Sequence, residues 1–439
     1  MKIPESVQSV LRSLESSGHE AWCVGGCVRD LLLGRTPDDW DVTTSALPEE
    51  TLSLFGDRAV STGLRHGTVT VRTDGGPIEV TTFRCDGAYL DHRRPESVSF
   101  TRSLTEDLRR RDFTVNAMAM DLRGTLSDPF DGRRDLAGML LRCVGDSDLR
   151  LTEDALRILR GLRFASVLNF QIERETAAAL HRHRDLLRDI AAERIRVELV
   201  KLLCGAGAAG ILREYPDVMG VFWPELLPLV GFDQRNRHHC YDIWEHTLSS
   251  LERVPPDPVL RLTMLLHDIG KQKSFTVDEN GTGHFYGHGA VSEKMADEML
   301  RRLKFDNKTR QTIVLLVEWH DRYIKPTDEG VRRGLAAMGE ENLRRLIAVK
   351  RADNLAQAPE YRGIQKELTQ AEQILDDLLK QNACFSLGQL AVDGRDLMEL
   401  GLLGPDIGRG LQALLDQVIQ GKLPNERNAL LNRVKTTIS

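Results

Sequence analysis

Asp39 and Asp41 stand one residue apart, shortly after the glycine turn of Gly25-Gly26-Cys27-Val28-Arg29-Asp30. In an extended strand side chains alternate, so these carboxylates share one face while Trp40 and Val42 turn into the packing. Two carboxylates on one face repel unless a cation lies between them. A hard divalent ion such as Mg²⁺ fits that role and usually shares its coordination with substrate phosphates. The glycines let the backbone approach a triphosphate closely, and the Arg29 guanidinium can fork onto its oxygens. Glu79 shares a face of a later strand with Thr81, so a neighbouring strand can bring a third carboxylate beside the pair. Three oxygen ligands suit a two-metal arrangement, in which one ion activates an attacking hydroxyl and the other holds the triphosphate and the departing pyrophosphate. The chemistry expected here is metal-dependent nucleotidyl transfer.

A second set lies far downstream: His246, His267-Asp268, His288, His320 and Asp353. Imidazoles and carboxylates gathered on neighbouring helices make a mixed N/O site suited to Mn²⁺, Ni²⁺ or Fe. The segment LRLTMLLHDIGK, ending in His267-Asp268 and its flank, resembles the HD phosphohydrolase superfamily. That resemblance implies metal ligation by His246, His267, Asp268 and Asp353, and His288 with His320 would permit a second ion. Retained ligands can also serve structure alone, so hydrolysis is a separate question from binding.

The elements that must hold these residues follow from periodicity. Residues 5–18 read as an amphipathic helix, followed by a strand at Ala21–Val24, a helix through Leu33 and a strand at Asp39–Thr43. Gly67–Arg72 and Ile78–Phe83 alternate on either side of Asp74-Gly75-Gly76, a hairpin signal. A polar arm from Cys85 to Glu106 precedes a helix expected to begin near Arg111. From about Thr152 onward leucines recur at helical intervals almost throughout. The fold class is therefore α+β: a small mixed-sheet head followed by a long all-α body and tail. Four domains are expected, over 1–145, 146–230, 231–360 and 361–439.

Charge and cysteine usage narrow the setting. A net charge of −6 argues against an indiscriminate nucleic-acid binder but leaves room for a local basic face. Arg157, Arg160 and Arg163, with Arg194, Arg196 and Lys201, supply one; a merely solvated helix face is the competing reading. Seven cysteines without a CxxC pair suggest reduced thiols and a cytoplasmic protein. No apolar run is long enough to span a membrane, and the first residues lack a signal peptide's apolar stretch.

Several motifs now converge. GG-x-VRD-xx-LG followed by D-x-D, R-R-D-F-T-x-N-A at Arg110–Ala117, and E-D-x-x-R at Glu153–Arg157 resemble the class II CCA-adding enzymes. These are bacterial tRNA nucleotidyltransferases of the polymerase-β superfamily, and the likeness is dense over roughly the first 230 residues. The resemblance implies Mg²⁺ on Asp39 and Asp41 with Glu79 as third carboxylate. It implies nucleotide contacts from Gly26, Arg29 and Arg111, joined by Asp154, Arg157, Arg160 and Arg163. The substrates implied are CTP, ATP and tRNA, gripped by shape along the acceptor and TΨC stem. In that scheme residues 1–145 are catalytic, 146–230 select the base and bind RNA, 231–360 hold the histidine site, and 361–439 bind tRNA.

Asp154 and Arg157 also admit a direct argument. At i and i+3 they share a helix face, one accepting hydrogen bonds and the other donating them. Cytosine and adenine each present an amino donor beside a ring-nitrogen acceptor; guanine and uracil present the reverse. A mismatch strands buried polar groups at about 1–3 kcal/mol each, enough to select C and A without a template. The competing reading is an ordinary surface ion pair. The arm Asp86–Pro95 resembles the loop of CCA-adding and A-adding members, and Gly63–Val69 resembles the CCA-adding form over the poly(A) polymerase signature. Narrower A-only or CC-only addition, poly(A) synthesis, and an HD phosphohydrolase with a vestigial head remain as alternatives.

Overall fold

In a computed structural model, residues 3–87, 97–381 and 383–438 are described. The expected arm Asp86–Pro95 falls mostly outside them. The chain divides into two compact units, Met1–Leu227 and Pro228–Ser439.

The first unit opens with the helix Glu5–Ser16, whose apolar stripe buries Val7, Val10, Leu11 and Leu14. Its sheet is built from β1 (Ala21–Val24), β2 (Asp41–Thr44), β3 (Ala59–Gly63), β4 (Thr68–Thr73) and β5 (Gly76–Thr82). A two-stranded ribbon, β6 (Arg84–Asp86) and β7 (Val98–Phe100), follows, and β8 (Ala119–Met120) and β9 (Leu126–Ser127) complete the main sheet. The order is β3-β4-β5-β2-β1-β8-β9. β2 pairs with β5 in parallel and with β1 antiparallel, so the sheet is mixed, as its alternating patterns predict. The hairpin β4–β5 closes with Thr73 opposite Gly76, and Gly76 takes φ +108°, a conformation that favours glycine. Val24, Phe83, Leu108 and Ala119 belong to the core packed around this sheet.

Two local expectations are corrected. β2 begins at Asp41, and Asp39 lies in the approach to it. The helix expected near Arg111 instead spans Leu104–Arg109, capped by Ser103 Oγ accepting from Glu106 N. The cap fixes the start there, and buried Asp107 then turns back to hold Arg110 and Arg111 at the helix end. Beyond the sheet come the helices Ser147–Glu153, Leu156–Leu168 and Ala192–Leu203.

The second unit is helical apart from a short hairpin, Thr276–Val277 with Gly283–His284. One core joins Leu316, Val331, Leu335, Leu346 and Leu375 and runs on to Ala383; a second begins at Cys384 and gathers Leu397, Leu414, Val418 and Leu430. The expected boundary at 360 thus falls inside continuous packing, because the helix Gln365–Lys380 lays its leucines on the same core. No helix among the described residues is long and apolar enough to cross a membrane.

Candidate active site

Asp39 and Asp41 line one cleft of about 440 Å³, with Gly25, Gly26, Arg29, Arg111, Arg160 and Arg163. Asp41 is the register partner of Glu79 across the parallel β2–β5 pair, so their side chains leave the sheet on the same face. Backbone pairing thus sets Asp41 beside Glu79, and Asp39 reaches the cleft from the approach to β2. Solvent reaches Asp41, yet the protein atoms crowding its carboxyl raise its pKa; Arg111 offsets this in part, while Glu79 and Asp39 add to it. A carboxyl disfavoured in its charged form by its own neighbours is a place where a divalent cation is welcome.

The arginines of the cleft are held to different degrees. Arg29 donates to Asn116 Oδ1 at 2.7 Å and to adjacent Asp30 at 3.0 Å. Arg160 Nε donates to Asp112 Oδ2 at 2.9 Å, and Arg163 Nε lies 2.6 Å from Glu198 Oε2. Burial pushes Asp112 up, but the Arg160 guanidinium, helped by Arg157 and by Asn116 Nδ2, holds its carboxyl well below the usual range. Arg111 is the least committed: Asp107 sits 3.5 Å away and already accepts two N–H groups from Arg110 at 2.7 and 3.0 Å. Its Nε is buried without a hydrogen-bond partner. Gly25, at φ +81°, makes this possible, since a Cβ there would lie 3.2 Å from Arg111 Nη1.

Asp154 and Arg157 do not meet as expected. Asp154 occupies the break between two helices, its carboxylate accepting from Leu156 N at 3.1 Å and lying 3.5 Å from Arg194. A carboxylate just ahead of a helix is drawn to the unpaired amides of the first turn. Arg157 is buried, lying 2.6 Å from Glu153 and donating to the carbonyls of Arg150 and Arg110 at 2.9 Å. The shared helix face is therefore corrected: only Arg157 is helical, and it points to the head's backbone.

Sequence reasoning passed over Asp112, Asn116 and Phe164. The first two sit four apart inside R-R-D-F-T-x-N-A and link Arg160 to Arg29, a signal legible only once the turn Thr114–Asn116 is known.

In the second unit, His246, His267 and Asp268 place ligand atoms within 4.8 Å of one another, as do Asp268, His288 and His320. Asp268 Oδ2 lies 3.5 Å from His246 Nε2 and 3.2 Å from His267 Nε2; its Oδ1 lies 3.4 Å from His288 Nε2 and 3.6 Å from His320 Nε2. Asp353 closes the set, 2.8 Å from His246. Nδ1 of His267, His288 and His320 meets the backbone carbonyls of Met264, Phe285 and Val317 at 2.7, 2.9 and 2.6 Å. Those contacts leave Nε2 as the lone-pair atom on each ring. Burial presses His267 toward neutrality, and Asp268 beside it raises its pKa, as a cation-seeking carboxylate does to its neighbour.

A mixed sheet carrying paired carboxylates on adjacent strands, beside an arginine-lined cleft, is the head of a nucleotidyltransferase. Residues 21–142 match the family described as Poly A polymerase head domain. Residues 169–215 match an RNA and SrmB-binding site of polymerase A, and 285–434 match tRNA nucleotidyltransferase domain 2. The chain is 38% identical over 442 residues to the CCA-adding enzyme of Levilactobacillus brevis, covering 98% of this chain and 97% of that one. It is 35% identical over 435 residues to that of Streptococcus mutans, covering 98% and 96%. The crystal structure of the Bacillus stearothermophilus CCA-adding enzyme in complex with CTP superimposes with a TM-score of 0.76 at 30% identity, over 100% of this chain and 98% of that one. The chain belongs to the CCA-adding enzyme family.

Proposed function

We propose that this chain builds and repairs the complete 3′-terminal CCA of tRNA from CTP and ATP, releasing pyrophosphate. The observation that carries the reading is the register of Asp41 with Glu79 at the edge of an arginine-lined cleft that Asp39 also faces. Asp39, Asp41 and Glu79 would hold Mg²⁺, which supplies activation of the primer hydroxyl and neutralisation of the triphosphate when bound. Gly25 and Gly26 admit the phosphates to the turn, and Arg111, with donors unspent, receives their charge. Arg29, Arg160 and Arg163 enclose the same cleft. Catalysis then rests on positioning and electrostatic stabilisation.

Base selection is assigned to Asp154 and Arg157. For this, Arg157 must exchange Glu153 for an incoming base, and Asp154 must release Leu156 N. Residues 1–145 act as the catalytic head, 146–230 as base selector and RNA contact, the helices from 231 through Gln365–Lys380 as the histidine-site body, and the tail around the core that begins at Cys384 as a tRNA contact. The similarity to a CTP-bound relative supports the nucleotide, and seven scattered cysteines without a CxxC pair fit a reducing cytoplasm. The test is a tRNA transcript ending at the discriminator base, incubated with CTP alone, ATP alone or both. CTP alone should add two residues and stop, ATP alone should leave that end unextended, and both together should complete CCA; failure to go beyond two residues with both present, or untemplated A-runs on unrelated RNA, sinks the reading.

A second reading concerns the histidine cluster. His246, His267, Asp268 and Asp353 would bind Mn²⁺, Ni²⁺ or Fe, and His288 with His320 faces the other oxygen of Asp268. The convergent Nε2 atoms and the unpaired buried Nε2 of His267 favour this. Phosphomonoester or phosphodiester hydrolysis is the activity such a site would add, tested in Asp41→Ala protein loaded with Mn²⁺ or Ni²⁺ by release of inorganic phosphate from a monoester and of nitrophenol from bis(4-nitrophenyl) phosphate.

A further inference from the structure

Phe164 lies at the centre of the cleft's positive wall. The Arg163 guanidinium stacks on its ring, 3.7 Å from the centroid, and those of Arg29 and Arg160 lie at 5.3 and 5.4 Å. Three like charges around one ring repel, and each has a carboxylate of its own to fall back on: Asp30, Asp112 and Glu198. A guanidinium free to collapse wholly onto its carboxylate would turn its remaining donors from the cleft. The π face of an aromatic ring attracts cations without accepting their N–H groups, so it can hold a guanidinium in place and leave donors over for a ligand. The ring itself is fixed: it is 7% exposed and packs edge-to-face on Phe113 at 5.8 Å. Phe113 in turn reaches the helix because residue 161 is glycine, where a Cβ would lie 3.1 Å from the Phe113 ring. Phe164 also lines the cleft, so its position is open to the ligand side.

We propose that Phe164 is a positioning residue that holds Arg29, Arg160 and Arg163 as one receptor for the triphosphate, setting nucleotide affinity without regard to the base. It rests on the nucleotidyltransferase reading of the cleft, and the ring does not touch the reacting atoms. The test compares wild type with Phe164→Leu and Phe164→Tyr, each checked for an unchanged unfolding temperature. KM for CTP and for ATP rises together by about tenfold in Phe164→Leu, with kcat at saturation changed less than about twofold. Inorganic tripolyphosphate, a competitor with no base, loses inhibition by the same factor, and Phe164→Tyr restores both values. Phe164→Met, close in volume but without a ring, serves if the leucine variant fails to fold. An unchanged tripolyphosphate inhibition constant, a change confined to one nucleotide, or a fall in kcat alone overturns the proposal. Loss of all addition in every variant overturns it too, whereas absence of addition by the wild type would indict the reading of the cleft.

Discussion

The head cleft and the histidine cluster both gather carboxylates, and they do so in opposite surroundings. Asp39, Asp41 and Glu79 are exposed, while His246, His267 and Asp268 are buried almost completely. Open hard oxygens beside arginines suit an ion that arrives and leaves with a phosphate-bearing substrate. Buried imidazoles suit an ion that stays, above all where Nδ1 is tied to a backbone carbonyl, as in His267, His288 and His320. The contrast teaches that acidic clusters must be read with their dielectric and their donors, since composition alone would group the two together.

The sharpest way to break this contrast is Asp41→Ala. Nucleotide addition should fall at least about 10³-fold, while the metal content of the purified protein stays unchanged. Retained addition would end the account of the cleft. Asp268→Ala is the converse: metal analysis of the purified chain should show loss of the tightly held ion, with the Pro228–Ser439 unit destabilised by about 3–5 kcal/mol as buried partners are stranded. CCA addition by the surviving folded protein should remain within about twofold of wild type. A variant that keeps its metal would show the cluster to be a salt-bridged core.

The sequence conveyed these two sets unequally. D-x-D, the glycine turn and the hairpin patterns were enough to anticipate Asp41 beside Glu79, because strand alternation turns spacing directly into facing; Asp39 stands ahead of β2, where that rule does not reach. The helical body was equally plain from its leucine intervals. Asp154 and Arg157 were not: the i,i+3 argument assumes a continuous helix, and the helix breaks at Asp154, whose own side chain accepts from Leu156 N. Nor does spacing show that Asp112 holds Arg160 or that Arg29 lies over Phe164, since in each case the two residues come from separate segments. Partnerships made across distant segments leave no periodic trace.

Smaller effects sharpen the picture within the head. Asp112→Asn should destabilise the Met1–Leu227 unit by about 3 kcal/mol, measured by urea unfolding near neutral pH. Because Asp112 is held below its unfolded pKa of about 3.9, its contribution is present above that pH and is lost as pH falls through the folded value. The stability gap between wild type and Asp112→Asn should therefore begin to narrow below about pH 4 and close only well into the acid range, as the folded pKa is passed. The mildest expected change is in selectivity. Asp154→Ala should narrow the preference for CTP and ATP over UTP and GTP by about ten- to a hundredfold, scored as kcat/KM ratios, with the overall rate less affected.

The pairing of Asp41 with Glu79 has a consequence for how this chain tolerates length changes. Glu79 owes its place to ladder register, so its geometry is inherited from every residue between the hairpin turn and itself. An extra residue in the turn at Asp74-Gly75 can be absorbed as a longer loop. One inserted between Gly76 and Glu79 must either bulge or rotate the glutamate to the opposite side of the sheet. Evolution can lengthen the neighbouring loops freely, but in those few strand positions it can only exchange side chains.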